Sequence, residues 1–276
     1  MLDDGHITFT QEEQTEFLKK EPNAKKWFRK YYGGDEFING EYRWILYLKD
    51  IPPNELRNLP LVKERVSRVA AFRNASSRPA TNSLPPTLIG VDNRLGEKYL
   101  VVPNTSSERR DYIPIGWLTP NVIANQKLRI LPNPTKWEFA ILTSAMHMAW
   151  MRTVTGRLES RYMYSVGVVY NTFPWPNLTD KAKAILTKTG QAILDARAEW
   201  PQASLADLYD PDAMPANLRK AHIANDKAVD KLYRTKKFDS ERERVEHLFM
   251  LYEELTAPML AASVPKKRRA RARKVK

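Results

Sequence analysis

The chain contains no cysteine. Disulfide bridges, cysteine-based zinc sites and thiol catalysis are therefore excluded. Glycine is scarce, 10 in 276 residues, and scattered. The one adjacent pair, Gly33-Gly34, stands where a helix is expected to end, so no glycine-rich cradle for a nucleotide-type cofactor is read. No run of about 18 apolar residues occurs, and no membrane span is expected. The first ten residues, MLDDGHITFT, are acidic and polar and carry no secretory pattern. Neither Asp-x-Lys nor Glu-x-Lys occurs anywhere. The common metal-dependent nuclease chemistry has no residues to run on.

Apolar and basic residues are plentiful. Hydrophobic residues make up 42% of the chain, with 7 Trp, 12 Tyr and 9 Phe, enough to build a core. The net charge is +13. Eight of those positive charges sit in Lys266 to Lys276, KKRRARARKVK, which has no acid. A tail so biased is expected to be disordered. The remaining +5 suits a nucleic-acid surface without proving one.

Patterning predicts an α+β fold: a mixed or antiparallel sheet domain over 1–176, a small helical domain over 177–262 and a basic tail over 263–276. Thr10-Gln11-Glu12-Glu13 reads as a capping box. Ala24 to Tyr32 reads as a helix, and Glu41 to Lys49 as a strand with alternating faces. Leu61 to Phe72 has apolar residues at helical spacing. Arg73 to Asn82 lacks an apolar anchor and reads as a loop. Strands are expected over Thr87 to Val91, Tyr99 to Val102, Tyr112 to Leu118 and Val122 to Leu131, with turns at Asp92-Asn93 and Gly96. Asn133-Pro134 should start a buried helix over Trp137 to Val154. His147 within it has no second ligand at metal spacing and reads as a core histidine. Tyr162 to Tyr170 looks strand-like. Three main helices follow Thr179, Pro215 and Ser240, the last behind a second capping box, Ser240 to Glu243. Asp207, Asp210 and Asp212 lie among prolines and read as a structural loop.

One stretch concentrates recognition chemistry. Val101 to Leu118, VVPNTSSERRDYIPIGWL, holds Ser106, Ser107, Glu108, Arg109 and Arg110 between two expected strands. Arginine can read guanine with two parallel donors or clamp phosphate, and serine can donate to phosphate. A charged hairpin tip with an internal Glu108–arginine pair is the plain alternative. Arg73, Arg78 and Asn82 in the basic segment, and Arg157 and Arg161 beside tyrosines, are further DNA-contact candidates. Each has a solvated-face alternative.

The segment SSERRDYIPIGWL resembles a signature of the MmeI-like DNA methyltransferases, single-chain restriction-modification enzymes. Ala145 to Trp150 (AMHMAW), Gly156 to Ser165 (GRLESRYMYS) and Tyr170 to Pro176 (YNTFPWP) agree with it. So do Leu194 to Ala198 (LDARA) and Ser204 to Pro211 (SLADLYDP), in family order. The likeness runs from about Gly5 to about Pro258. It implies a target-recognition domain followed by a C-terminal helical domain, duplex DNA as partner, and a cytoplasmic, nucleoid-associated place.

The resemblance also implies S-adenosylmethionine in the parent family, yet this chain shows no site for it. Adenine methyltransferases hold the flipped base with an Asn/Asp-Pro-Pro-aromatic loop. Here the Pro-Pro pairs are Ile51-Pro52-Pro53-Asn54 and Leu84-Pro85-Pro86-Thr87, which lack the leading polar group and the trailing aromatic. No catalytic, cofactor or metal residue is assigned, and the chain alone is expected not to methylate DNA. Three readings stand: the recognition part of an adenine-N6 methyltransferase whose catalytic core lies elsewhere, a free-standing specificity subunit serving a separate methyltransferase or nuclease chain, and a basic protein binding nucleic acid without sequence preference.

Overall fold

The computed structural model describes residues 3–89 and 98–263. The first half alternates short strands and helices: β1 (Thr8–Phe9), α1 (Gln11–Lys20), a 3-10 turn (Pro22–Trp27), β2 (Phe28–Tyr32), α2 (Gly34–Asn39), β3 (Arg43–Leu46), α3 (Pro53–Arg57), α4 (Pro60–Asn74) and α5 (Pro79–Asn82). Then come β4 (Tyr99–Pro103), β5 (Thr105–Ser106), β6 (Gly116–Leu118), β7 (Val122–Ala124), β8 (Leu128–Pro132), α6 (Lys136–Leu142), α7 (Ala145–Val154), β9 (Gly156–Leu158) and β10 (Arg161–Met163). After a π-helical turn (Val166–Tyr170) the chain is helical: α8 (Asp180–Ala198), α9 (Leu205–Leu208), α10 (Ala216–Tyr233) and α11 (Glu241–Ser263). The fold is α+β.

Three small sheets result. The first has the order β1-β3-β2-β7, antiparallel except for the parallel pair β2–β7. The second, β6-β4-β8, and the third, β5-β10-β9, are antiparallel. The helix expected over Ala24 to Tyr32 is instead a 3-10 turn followed by β2. Its Phe-Arg-Lys-Tyr-Tyr run is bonded to β3 on one side and β7 on the other. Pairing on both edges outweighs local helical preference, and aromatic residues suit a pleated surface. The expected single strand Val122 to Leu131 is split between two sheets. Asn125 turns the chain: its N–H donates to Tyr32 O, and its Oδ1 accepts from Lys127 N at 2.8 Å.

Other expectations shift locally. Thr10 and Glu13 form the expected capping box, and α4 covers the predicted helix. Arg73 to Asn82 is not a free loop, since α4 runs to Asn74 and α5 follows. Only Gly116–Leu118 of Tyr112 to Leu118 pairs as strand, and of Tyr162 to Tyr170 only Tyr162 and Met163, the end of β10. The helix after Asn133-Pro134 is capped by Thr135, while Asn133 takes a positive φ of 48°. Trp137 to Val154 is two helices, because the Ser144 side chain caps the His147 amide and donates to Ile141 O at 2.7 Å. Residues 87–89 form no strand; residues 90–97, with their expected turns, and the basic tail lie outside the described residues.

Two large apolar clusters organise the molecule. One joins Phe9, Phe17, Phe28, Ile45 and Leu46 to Val62, Val66 and Val69 of α4. The other joins Leu100, Ile113, Phe139, Trp150 and Tyr164 to Leu186, Ile193, Leu218, Val229 and Leu248. The second cluster crosses position 176 without a break. Helix α8 lies so close to α6 that a Cβ on Gly190 would stand 2.7 Å from Lys136 O. Buried Asn225 of α10 ties the same layer: its Nδ2 donates to Ala140 O at 2.7 Å, and its Oδ1 accepts from the Thr189 hydroxyl at 2.8 Å.

Candidate nucleic-acid interface

The loop after β4 and the hairpin β9–β10 meet in one sheet. Ser106 pairs with Tyr162, and Tyr162 pairs with Arg157 on the other edge. The hairpin turns at Glu159-Ser160, where Glu159 takes φ 57°. Strand β9 is exposed along its whole length, and Leu158 is 48% exposed. Arg157 lies over the Tyr162 ring at 4.6 Å and also donates to the Tyr162 hydroxyl at 3.3 Å. The stacked ring limits the rotamers of that guanidinium. Arg161 pairs with Glu159 at 2.8 Å and remains about half exposed.

Within the loop the five candidates diverge. Ser106 is buried, and its Oγ has no partner among the described residues. It was expected on the DNA side, but its place opposite Tyr162 turns it inward. The Ser107 hydroxyl accepts from Arg109 N at 3.2 Å. Glu108 is held below the usual carboxylate range, first by its own backbone amide and then by the Ser160 hydroxyl. It forms no ion pair with Arg109 or Arg110 among the described residues; Arg109 reaches Asp212 instead, at 2.6 Å. Arg110 is half-buried beside Asp210, and desolvation lowers its pKa.

Arg73 lies in the last turn of α4, which packs in the other apolar cluster, while Arg78 stands at the N-cap of α5 and Asn82 ends it. Arg73 is 1% exposed. Its Nη1 donates to Leu84 O at 3.3 Å and to Pro85 O, and its Nη2 to Leu88 O at 2.7 Å. Its guanidinium ties the chain after α5 to α4, which corrects the expectation of a DNA-facing side chain. Carbonyls outside regular structure need donors, and the planar fork supplies several at once. Asn82 Nδ2 donates to Asn74 O at 3.2 Å. Arg78 is exposed at the start of α5.

Composition and spacing gave no sign of the groups that hold the loop. Arg152 donates to Asp111 O at 2.6 Å and pairs with Glu241 at 2.5 Å. Arg219 approaches Asp111 at 3.6 Å. The Tyr112 hydroxyl donates to Asp226 at 2.6 Å, and its ring stacks on His222 at 4.0 Å. These partners stand 41 to 130 residues from the loop, a separation that leaves no local pattern. His147, by contrast, is the core residue expected: 0% exposed, with Nε2 2.9 Å from the Tyr164 hydroxyl. Burial pushes its pKa down to about 3. The aspartates near 210 are structural. Ser204 caps α9 and the Asp207 carboxylate accepts from the Ser204 N–H and hydroxyl, and Asp210 accepts from Asp212 N.

Comparison with known proteins gives the context. Residues 1–177 match the family model described as MmeI, target recognition domain, and residues 178–260 match MmeI, C-terminal domain. DNA methyltransferase A of Bacillus subtilis (strain 168) is 37% identical over 256 residues, 92% of this chain and 29% of that protein. The solved Type IIL restriction-modification enzyme MmeI in complex with DNA aligns with a TM-score of 0.90 and 43% identity, covering 93% of this chain and 34% of that one. The chain therefore spans about a third of the length of these relatives.

Proposed function

This chain belongs to the MmeI family by its target-recognition and C-terminal domains, and from that membership we propose that it reads and positions duplex DNA for a site-specific adenine-N6 methyltransferase of the restriction-modification kind. The observation that carries the proposal is the match of residues 1–177 to a target-recognition domain, in a fold shared with an enzyme solved on DNA. The exposed hairpin β9–β10 supports it, since a two-stranded ribbon fits the major groove of B-form DNA. Arg157 and Arg161 supply guanidiniums there, and Arg109 adds one from the neighbouring loop. Residues 1–176 act as the reading module, 177–262 as its helical support, and 263–276 as added positive charge for phosphates.

Methyl transfer and the S-adenosylmethionine that supplies it belong to the larger remainder of a parent enzyme. A DNA-reading role sets the protein to work in the cytoplasm, on the nucleoid. Selection from randomised duplexes tests the proposal directly. An enriched motif is expected, and a flat selection would leave only non-specific binding. Incubation with labelled S-adenosylmethionine and unmethylated DNA should transfer no label above a no-protein control.

A further inference from the structure

The loop that carries Arg109 and Arg110 is held by the helical segment through a closed circuit of contacts. Tyr112 donates to Asp226 Oδ2 at 2.6 Å, while Asp226 Oδ1 accepts from Ala145 N at 2.7 Å. One carboxylate of α10 thus fixes both the loop and the first turn of α7. The Tyr112 ring stacks on His222, with centroids 4.0 Å apart and planes 21° apart. The Tyr209 hydroxyl accepts from Arg197 Nε at 2.9 Å and meets His222 Nε2 at 2.8 Å. Since that hydroxyl takes protons from Arg197, it donates its own to His222. Nε2 is then the acceptor, and Nδ1 keeps the ring proton. Arg197 returns to the loop, where its Nη1 donates to Ile115 O at 2.7 Å.

The acids of the circuit are matched, while His222 Nδ1 has no hydrogen-bond partner among the described residues. Asp230, the second acid near Asp226, is held by two donors of Arg244, at 3.0 and 2.6 Å. His222 is 0% exposed, and burial holds it neutral, with the nearby Arg197 acting in the same sense. The ring can therefore stack on Tyr112 without carrying a buried charge. Loop residues 112 and 115 are pinned from α10 and α8 respectively, and both lie just past Arg109 and Arg110. A backbone fixed at these points fixes where the arginines start.

We propose that Tyr112 and Asp226 are positioning residues for sequence discrimination: through them the C-terminal helices set the geometry in which the loop meets DNA. The proposal rests on the DNA-reading function above. Recognition by hydrogen bonds to base edges tolerates little displacement, whereas attraction to phosphates depends on charge and tolerates much. A loosened loop keeps its charge and loses its register.

Tyr112→Phe in the full chain keeps the stack and removes the hydroxyl. Affinity is measured on the selected duplex and on a scrambled one, together with the salt dependence on each. The ratio of the two affinities should fall ~10-fold, about what one hydrogen bond to a charged group is worth. Scrambled-duplex affinity and its salt slope should not move. Asp226→Asn serves as the second variant if Tyr112→Phe does not fold: its amide oxygen still accepts from Ala145 N, its amide nitrogen can only donate to the Tyr112 hydroxyl as a neutral group, and the ratio should fall in the same direction by less. Val229→Ala, a core truncation in the same helix, controls for general destabilisation. An unchanged ratio in both Tyr112→Phe and Asp226→Asn overturns the proposal, as does an equal loss in Val229→Ala. If the unaltered chain itself shows no preference between duplexes, the DNA-reading function is what fails.

Discussion

Two regions of this molecule are written in nearly the same letters. Residues 73–82 hold two arginines, two asparagines, two serines and a threonine; residues 104–110 hold two arginines, an asparagine, two serines and a threonine. Structurally they are opposites. In the first, Arg73 is interior and bonded to three carbonyls, and it fastens the chain after α5 to α4. In the second, Arg109 is 62% exposed and sits beside a hairpin that carries two further accessible arginines. The same side-chain chemistry serves folding in one place and a surface in the other. Whether backbone acceptors surround the guanidinium decides which.

The sharpest break of this comparison is Arg73→Ala. It removes donors from three part-buried carbonyls and a cation near Asp3, and unfolding free energy should fall by ~1–3 kcal/mol in urea titration. DNA affinity measured on the folded fraction should hold. A loss of affinity without loss of stability would return Arg73 to the DNA surface.

Comparable in size is a pH effect from the brace beneath the exposed loop. Desolvation, with Asp230 adding to it, raises Asp226 to about 6 from 3.8, against the opposing hydrogen bonds of Tyr112 and Ala145. The folded state therefore holds this proton more tightly than the unfolded state. The stabilisation from Asp226 is complete below pH 3.8 and is lost as pH rises through about 6. The full loss is up to about 3 kcal/mol, the free energy of carrying the carboxyl from 3.8 to about 6. Asp226→Asn should flatten the pH dependence of the melting temperature between pH 4 and 7. An identical profile in the variant would assign the dependence to other groups.

On the hairpin, Arg161→Ala and Arg157→Ala should each weaken DNA binding by ~1–3 kcal/mol if the side chain reads a base, with relaxed choice at one position. A uniform loss over all duplexes would mark a phosphate contact. The melting temperature should hardly change, since both arginines are exposed. Equal DNA affinity in the variants and the parent would remove the hairpin from the interface.

The smallest expected effect is on the stability of Arg109→Ala. Its ion pair with Asp212 is exposed on both sides, at 62% and 80%, so it should contribute under ~1 kcal/mol. DNA affinity then separates two roles. A loss places Arg109 on the interface with Arg157 and Arg161; no loss confines it to the weak tie with Asp212.

Several elements were legible before any coordinates. The apolar spacing of 61–72 gave α4, the stripes after Thr179 and Pro215 gave α8 and α10, and Thr10 to Glu13 gave a capping box. His147 was readable as a core residue because nothing at ligand spacing accompanies it. Each of these signals is local, a matter of residues within one or two turns. Strand β2 was missed because its stability comes from β3 and β7, the latter about ninety residues away. The break at Thr143-Ser144 was missed because both flanking helices are buried and apolar, so hydrophobicity continues while the backbone does not.

The candidate site divides in the same way. Sequence brought Ser106 to Arg110, Arg157 and Arg161 forward by side-chain type. Which of them are covered depends on the neighbours brought by folding rather than on strand parity, since Ser106, Tyr162 and Arg157 are cross-strand partners on one face. Ser106 lies opposite Tyr162 and is buried, while Arg157 is laid across Tyr162 and stays exposed.

By itself, then, the sequence determined the α+β class, the three main C-terminal helices, the supply of cationic groups and the family motifs. The first three follow from local periodicity and composition, and the motifs from their resemblance to a known family. Only the tertiary structure decided that Arg73 is an interior strut, that one core runs through residues 100–248, and that Tyr112 and Ile115 are held by α10 and α8. The physical reason is that burial and hydrogen-bond pairing are set by which distant segments meet. Neither can be read from a residue's own neighbours in the chain.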